Sequence, residues 1–483
     1  MSRVRTIAQA LACALAATVV SFAGAASDSA VARLKAGREA MIAENPRAAL
    51  AHYRGALALL APEDKDERFA ALLGVARSAA WLEDYKLAES SYRSALPLAA
   101  NAEDRALAAA GLAQTLTIFD RPRGAFAVSS PLAQESLSNA VETARAALAL
   151  GWVDKAAAAL DPHTSRLTPE VADTRLGRDF KHQKDEIAFR TRPTVYGVQE
   201  YSKDSDGVRN YDTGIGTAFS AGAAPASGTA PRWEVAVHHQ WIEDNSARAE
   251  ISQVQGGVRF NAGDDVKIAL NPGVARSGDW NYSFGGAQLS YRASDNWSLE
   301  ISAERDAVKT IEALDNRITV RSGTIGGDVR LGNTVLAAAL LRQSFSDGND
   351  RDGAVLRMTL PAFILGAGGP SLALQLYGRY FENSRADTSG YFNPPRFDEQ
   401  RINFILGARL SPQWVLRGTL GPGRQSVDGE KSSTVTGDLK LIGRIGQTAR
   451  LEIGASYGDT AAFASSGAGY RRSRLSASLV VPW

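Results

Sequence analysis

Two hydrophobic periods divide this chain. From about Ser27 to Arg190 the apolar residues recur at helical spacing in a text rich in Ala, Leu and Arg, which predicts a run of packed helices. Near Arg192-Pro193 the period drops to two. Trp297-Ser298-Leu299-Glu300-Ile301-Ser302-Ala303-Glu304 alternates, as do Val435 to Leu441 and Arg474 to Val481. One face of each segment is apolar and the other is charged, the pattern of half-buried strands. The fold class expected is α and β in separate domains: α-helical repeats over 27–190, then an antiparallel β-barrel of about 16 strands over 193–483.

The helical half repeats itself. Gly37, Ala49, Tyr53 and Ala56 align with Ala76, Ala88, Tyr92 and Ala95 at a constant offset of 39. Small residues let two helices approach, and an aromatic residue one turn later fills the space between them. This is a tetratricopeptide-like arrangement, lengthened by a linker holding Pro62-Glu63-Asp64-Lys65. Ala110 to Phe126 forms a degenerate third unit, and Val141 to Pro162 a fourth unit or a cap. Stacked helical hairpins of this kind dock partners rather than perform chemistry, and the eight repeat positions mark the expected docking scaffold. An ordinary Ala-rich helical bundle is the alternative reading.

In the second half the joins decide the architecture. Tight joins fall at Ala262-Gly263-Asp264, Ser294-Asp295-Asn296, Gly332-Asn333, Ser411-Pro412-Gln413 and Gly446-Gln447-Thr448. Longer polar joins fall between them, at Ala307–Asn316, Ser346–Gly353, Asn383–Pro395, Gly421–Ser433 and Asp459–Gly469. Short turns at one rim and long loops at the other describe a barrel in an outer membrane. Trp233, Trp241, Trp280, Trp297 and Trp414 sit near strand ends, as girdle residues do. Leu475, Ala477, Leu479, Val481 and Trp483 share one face, and a terminal aromatic residue resembles the signal read by barrel-assembly machinery. An even strand count returns both barrel ends to one side, which would leave the helical domain in the periplasm beneath the barrel.

Composition narrows the compartment and the chemistry. Arg3 and Arg5, the apolar run Ile7–Val20 and Ala23-Gly24-Ala25 read as a cleavable signal peptide over 1–25, with the mature chain starting at Ala26 or Ser27. The one cysteine, Cys13, lies inside that segment, so disulfides are not expected. With 54 Lys and Arg against 52 Asp and Glu, no basic excess points to nucleic acid. Five histidines without a ligand-spaced cluster predict no metal, and no cofactor motif occurs. His238 and His239 are adjacent in one strand and face opposite ways, so they cannot act together in nucleophilic catalysis. No enzyme activity is expected.

Alternation selects an inward face instead. Glu300, Glu304 and Asp306 lie on one strand, Asp328 and Arg330 on the next. Further round come Gln375, Tyr377 and Arg379, then Arg401, Asn403 and Arg409. Asp438, Lys440 and Arg444 follow, then Arg450 and Glu452. Charges of both signs, amides and rings would line a channel, guiding a hydrated sugar polymer by many weak contacts. The same charges could instead pair across strands as structure.

Four short stretches also resemble one family. Pro193-Thr194-Val195 with Asp204-Ser205-Asp206-Gly207, Glu304-Arg305-Asp306 with Ala313, Ser346-Asp347-Gly348-Asn349 with Arg351, and Tyr391-Phe392-Asn393-Pro394 with Phe397 occur in order along the barrel. Together they resemble the repeat-plus-barrel exporters of bacterial exopolysaccharide, such as the poly-N-acetylglucosamine export porin and cellulose synthase operon protein C. The resemblance implies an outer-membrane channel that carries a polysaccharide outward, with the repeats contacting periplasmic proteins. The chain has far fewer repeats than the large exporters, which leaves the repeats' partners open. Surface lipoprotein assembly modulators, which handle protein clients, join a short repeat domain to a barrel at about this length and form the alternative, with a surface receptor barrel as a third.

Overall fold

The computed structural model describes residues 29–165, 167–205, 207–221, 230–364, 369–386, 390–446, 448–458 and 471–483. The signal segment 1–25, Asp206, Gln447 and the expected loop 459–469 lie outside the described residues. Two compact units form. One runs to Gly151 and adds Lys155–Gln183; the other takes Trp152–Asp154 and Lys184–Trp483.

The first unit is helical throughout. It comprises α1 (29–42), α2 (Pro46–Leu57), α3 (Lys65–Trp81), α4 (Tyr85–Ala95), α5 (Ala102–Ile118), α6 (Pro122–Ser129), α7 (Leu137–Leu150), most of α8 (Val153–Thr164), α9 (Pro169–Ala172) and the first half of α10 (Arg175–Thr191). Helix starts are chemically marked. Asn45, Asp84, Asn101 and Ser136 accept from backbone N–H groups of the first turns of α2, α4, α5 and α7. Gly151, at φ +80°, ends α7 in the left-handed conformation that glycine adopts without a Cβ clash.

The repeat positions are the mortar of this unit. Ala49, Tyr53 and Ala56 on α2, and Ala88, Tyr92 and Ala95 on α4, are all buried, as are Gly37 and Ala76. The Tyr53 ring lies against Gly37 and Gly74, and the Tyr92 ring against Gly111. The aromatic residue therefore does fill the gap between neighbouring helices. The small partner of Tyr92, however, is Gly111, which the alignment of Gly37 with Ala76 does not identify. All eight repeat positions are interior and build the scaffold between helices, so any docking surface would be made by their exposed neighbours.

The second unit is a closed antiparallel sheet. Its segments are β1 (Thr194–Asp204), β2 (Arg209–Ser220), β3 (Arg232–Glu243), β4 (Arg248–Ala262), β5 (Val266–Leu270), β6 (Gly273–Ser277), β7 (Trp280–Tyr291), β8 (Trp297–Ala307), β9 (Thr319–Leu331), β10 (Thr334–Phe345), β11 (Asp350–Thr359), β12 (Phe363–Ile364), β13 (Ser371–Asn383), β14 (Arg396–Arg409), β15 (Trp414–Val427), β16 (Glu430–Ile445), β17 (Ala449–Gly458) and β18 (Arg472–Pro482). β5 and β6 share one position between β4 and β7, and β11 and β12 both pair with β13, so sixteen staves make the wall. The break between β5 and β6 falls at Asn271-Pro272, where proline has no N–H to give the ladder. Closure is complete: β1 pairs with β18 from Thr194 opposite Pro482 to Asp204 opposite Arg472.

Register sorts the two faces. Ile301, Ile325 and Leu340 lie opposite one another on β8, β9 and β10, all exposed, on the outer face. Leu475, Leu479, Val481 and Trp483 at the chain end are exposed on the same face. Among the described residues no helix is long and apolar enough to cross a membrane. The aliphatic belt belongs to strands, and it matches a barrel in lipid. Trp233, Trp241, Trp297 and Trp414 join that face. Trp280 does not. It packs with Tyr282, Ile242 and Ile251 on the inner side, because its register partner Ser277 points inward.

Loop lengths also depart from expectation in two places. The join expected over Gly421–Ser433 is only Asp428-Gly429, since β15 and β16 run on to pair Val427 with Glu430. Both turn residues have positive φ (+50° and +85°), the type I′ geometry for which Asp-Gly is suited. The join expected over Ser346–Gly353 shrinks to Ser346–Asn349 as β11 begins at Asp350.

Two outcomes follow for the helical unit. A Cβ at Gly74 would stand 2.4 Å from the Tyr53 ring. Overpacking costs about 1–3 kcal/mol, more than the ~1 kcal/mol of helix propensity gained over glycine. Gly74→Ala should therefore lower the midpoint of the helical circular-dichroism transition of the detergent-solubilised chain; a higher midpoint would refute the packing assignment. Glu142 on α7 is buried, and burial pushes its carboxyl up to about 7 although Arg145 lies 2.7 Å away, with Asp179 adding to the rise. A carboxyl raised by folding stabilises the fold while protonated, so that contribution is present below about pH 4.5 and lost as pH climbs through 7. The loss should reach roughly 3 kcal/mol by pH 8, and Glu142→Gln should flatten the dependence. An equal pH slope in both proteins would contradict this.

Candidate functional site

The inner wall is built by the alternation that builds the outer one, since successive Cβ atoms of a strand point to opposite faces. The inward residues expected from the sequence all fall on it by register. Glu300, Glu304 and Asp306 on β8 face Gly326, Ser322 and Val320 on β9, which also carries Asp328 and Arg330. Gln375, Tyr377 and Arg379 on β13 lie opposite Asn403, Arg401 and Glu399 on β14, and Arg409 ends that strand. Asp438, Lys440 and Arg444 on β16 face Ser456, Gly454 and Arg450 on β17, with Glu452 beside them.

Some of these meet. Asn403 donates to Gln375 at 2.9 Å, and Gln375 donates to Thr359 at 2.9 Å. The Arg401 guanidinium stacks 4.2 Å from the centre of the Tyr377 ring, donates to Thr436 and lies 3.4 Å from Glu399. Lys440 pairs with Glu452 at 3.1 Å, and Asp328 accepts from Ser298. Glu300 and Glu304 stay exposed, and among the described residues neither forms an ion pair with an arginine. Inward residues absent from the expected set include Glu200 paired with Arg474, Asp212 with His238 at 3.3 Å, and Glu234 with Tyr196. The same alternation, continued through β1 to β3, would have found them. His239 turns outward to Ser252, so the two adjacent histidines do part company.

One end of the lumen, where the chain leaves β8, β10 and β13, is narrowed by the loops. Helix α11 (Ile311–Asp315) folds inward. Its Leu314 packs on Ile242, Ile251 and Tyr282 of one wall, while Ala313 packs with Phe345 and Tyr391 of the other. At Gly390, φ +95°, an added Cβ would stand 3.1 Å from the Ala313 backbone nitrogen, and Thr310 donates to the Gly390 carbonyl. Arg351 anchors the assembly. It is 1% exposed, donates to Asn383 at 2.9 Å, to Gln343 and to the Phe392 carbonyl, and stacks between Phe345 and Phe381. Asn349 donates to the Tyr391 hydroxyl at 3.1 Å, which in turn donates to Asp347 at 2.8 Å. The short stretches around Asn349 and Tyr391 that stood far apart in sequence thus form one cluster.

The other end holds the last two turns of α10. Lys184–Thr191 belong to the barrel unit. Glu186 accepts from Arg190 at 2.7 Å, from Arg450, and from Arg444 at 3.4 Å; Phe189 lies 3.6 Å under the Arg450 guanidinium. Arg232 donates to the carbonyls of Arg190 and Arg192 and caps the helix end. Burial alone would raise the Glu186 carboxyl, but Arg450 and Arg190 outweigh it and hold the group below its ordinary value. Strand alternation gives no signal for Glu186, which lies on a helix. Among the described residues no group of His, Cys, Asp and Glu is placed to hold a metal ion.

Likeness to known proteins is confined to shape. No protein-family model matches the chain, and no curated protein does either. Among solved structures it is similar to a bacterial polysaccharide outer membrane secretin, at 11% identity and a TM-score of 0.50, over 61% of this chain and 99% of that one. CdiB from Acinetobacter baumannii aligns at 12% identity over 60% of each chain with a TM-score of 0.39. OpdL of Pseudomonas aeruginosa aligns at 10% identity over 60% of this chain and 98% of its own, with a TM-score of 0.33. The first of these supports the fold: an outer-membrane β-barrel.

Proposed function

We propose that the chain is an outer-membrane channel that passes a secreted polysaccharide, with its helical unit in the periplasm docking the proteins that deliver it. The observation that carries this reading is the inner wall. Guanidinium groups stacked on rings, as Arg401 on Tyr377 and Arg379 on Phe381 and Phe397, alternate with amides such as Gln375 and Asn403. Such a surface offers flat faces and shallow hydrogen bonds to sugar rings, which suits guided passage more than tight capture. Sixteen staves enclose a water-filled lumen. The mouth narrowed by α11 suits a single extended chain better than a folded protein client. The barrel would contact lipid through its aliphatic belt and the assembly machinery through its terminal strand.

Planar-bilayer recording of the purified chain tests this. We expect single-channel conductance with transient blockades when dextran fragments are added on the side of the helical unit. Replacing Lys309–Arg317 with a short Gly-Ser turn should raise the conductance at least twofold, because α11 then no longer crosses the mouth. An intact, heat-modifiable barrel that passes no current would sink the channel reading.

A further inference from the structure

The inner wall is not evenly charged. On β14 to β17, near the end where α10 enters, the inward face carries the cations Arg409, Arg417, Lys440, Arg444 and Arg450 against the carboxylates of Asp438 and Glu452. Register sets them side by side. Arg417 lies directly opposite Lys440, and Arg444 directly opposite Arg450. Arg409 is the diagonal neighbour of Arg417, since Gly407 is the latter's direct partner. Like charges placed directly across a ladder destabilise it unless an anion lies between them.

At one pair the chain supplies that anion itself. Glu186, on a helix rather than a strand, reaches both Arg444 and Arg450, and Asp185 stands 4.0 Å from Arg444. At the other pair compensation is partial. Lys440 has Glu452, whereas Arg417 and Arg409 are exposed and have no acidic partner among the described residues. The wall therefore holds one carboxylate site filled by its own chain and a contiguous one that is not. Guanidinium groups bind carboxylates in a planar, two-pronged geometry and lose less hydration than ammonium groups do.

We propose that this patch binds an anionic sugar chain through its carboxylates, and that Glu186 is a tethered competitor for the same arginines. Passage of the bound polymer rests on the channel reading above; binding does not. As the polymer spreads across the patch formed by Arg409, Arg417, Arg444 and Arg450, its carboxylates displace Glu186, and the end of α10 loses its anchor on the wall. A neutral polymer gains nothing at the patch and leaves Glu186 in place.

The test uses the full-length protein in detergent with fluorescent octagalacturonate as probe, and neutral maltooctaose as control. We expect saturable octagalacturonate binding that weakens at least tenfold in 1 M salt, because exposed charges are screened there, and no binding of maltooctaose. Arg409→Gln with Arg417→Gln should weaken binding at least tenfold, and Glu186→Gln should tighten it at least threefold. Equal binding of both sugars, or wild-type affinity in the double arginine variant, would overturn the anion site. Unchanged or weaker affinity in Glu186→Gln would overturn the competitor role. Free galacturonate competing as well per residue as the octamer would overturn polymer recognition. Bilayer recordings separate the two proposals: a barrel that binds octagalacturonate but never conducts refutes the channel and leaves the patch standing.

Discussion

Backbone N–H and C=O groups in hydrocarbon have no water to bond, and each one left unpaired costs several kcal/mol. The pairing of β1 with β18 along the full length of both strands answers that constraint, since a sheet closed on itself has no edge. The rest of the barrel follows from it. Closure makes one face continuous toward lipid and the other continuous around a lumen. Strand period two then assigns every second side chain to each. The exposed aliphatic residues and the inward arginines are thus two products of one geometric rule.

The lumen ends are organised by different physics. At the loop end, apolar packing and one buried guanidinium hold three loops together: Arg351 meets Asn383, Gln343, the Phe392 carbonyl and two rings. A charge this deeply buried is tolerable only with its donors satisfied. At the other end, cations stand close to one another, and the carboxylates of Asp185 and Glu186 on a helix offset their mutual repulsion.

The helical unit shows a simpler logic. Glycines on one helix receive a tyrosine ring from a neighbouring helix, so Gly37, Gly74 and Gly111 matter for the Cβ they lack. An alignment of residue types detected the tyrosines and alanines but matched Gly37 with Ala76. Substitution by similarity hides which helix a ring leans on.

Local order was legible from the chain alone: the change of period near Arg192, the sixteen-stave count, the outward face of Leu475 to Trp483 and the inward face of Glu300, Arg401 and Lys440. These depend on Cβ direction and hydrophobic sorting, which act over one or two residues. The turn at Asp428-Gly429 carried its own signal in those two residues. What only the tertiary structure decided is which inward groups meet. Trp280 turned inward because its register partner does, α11 folded into the mouth, and Glu186 came to Arg444 and Arg450 across more than two hundred and fifty residues of chain. Such contacts depend on closure, register and loop path together, and no periodicity in the sequence encodes those.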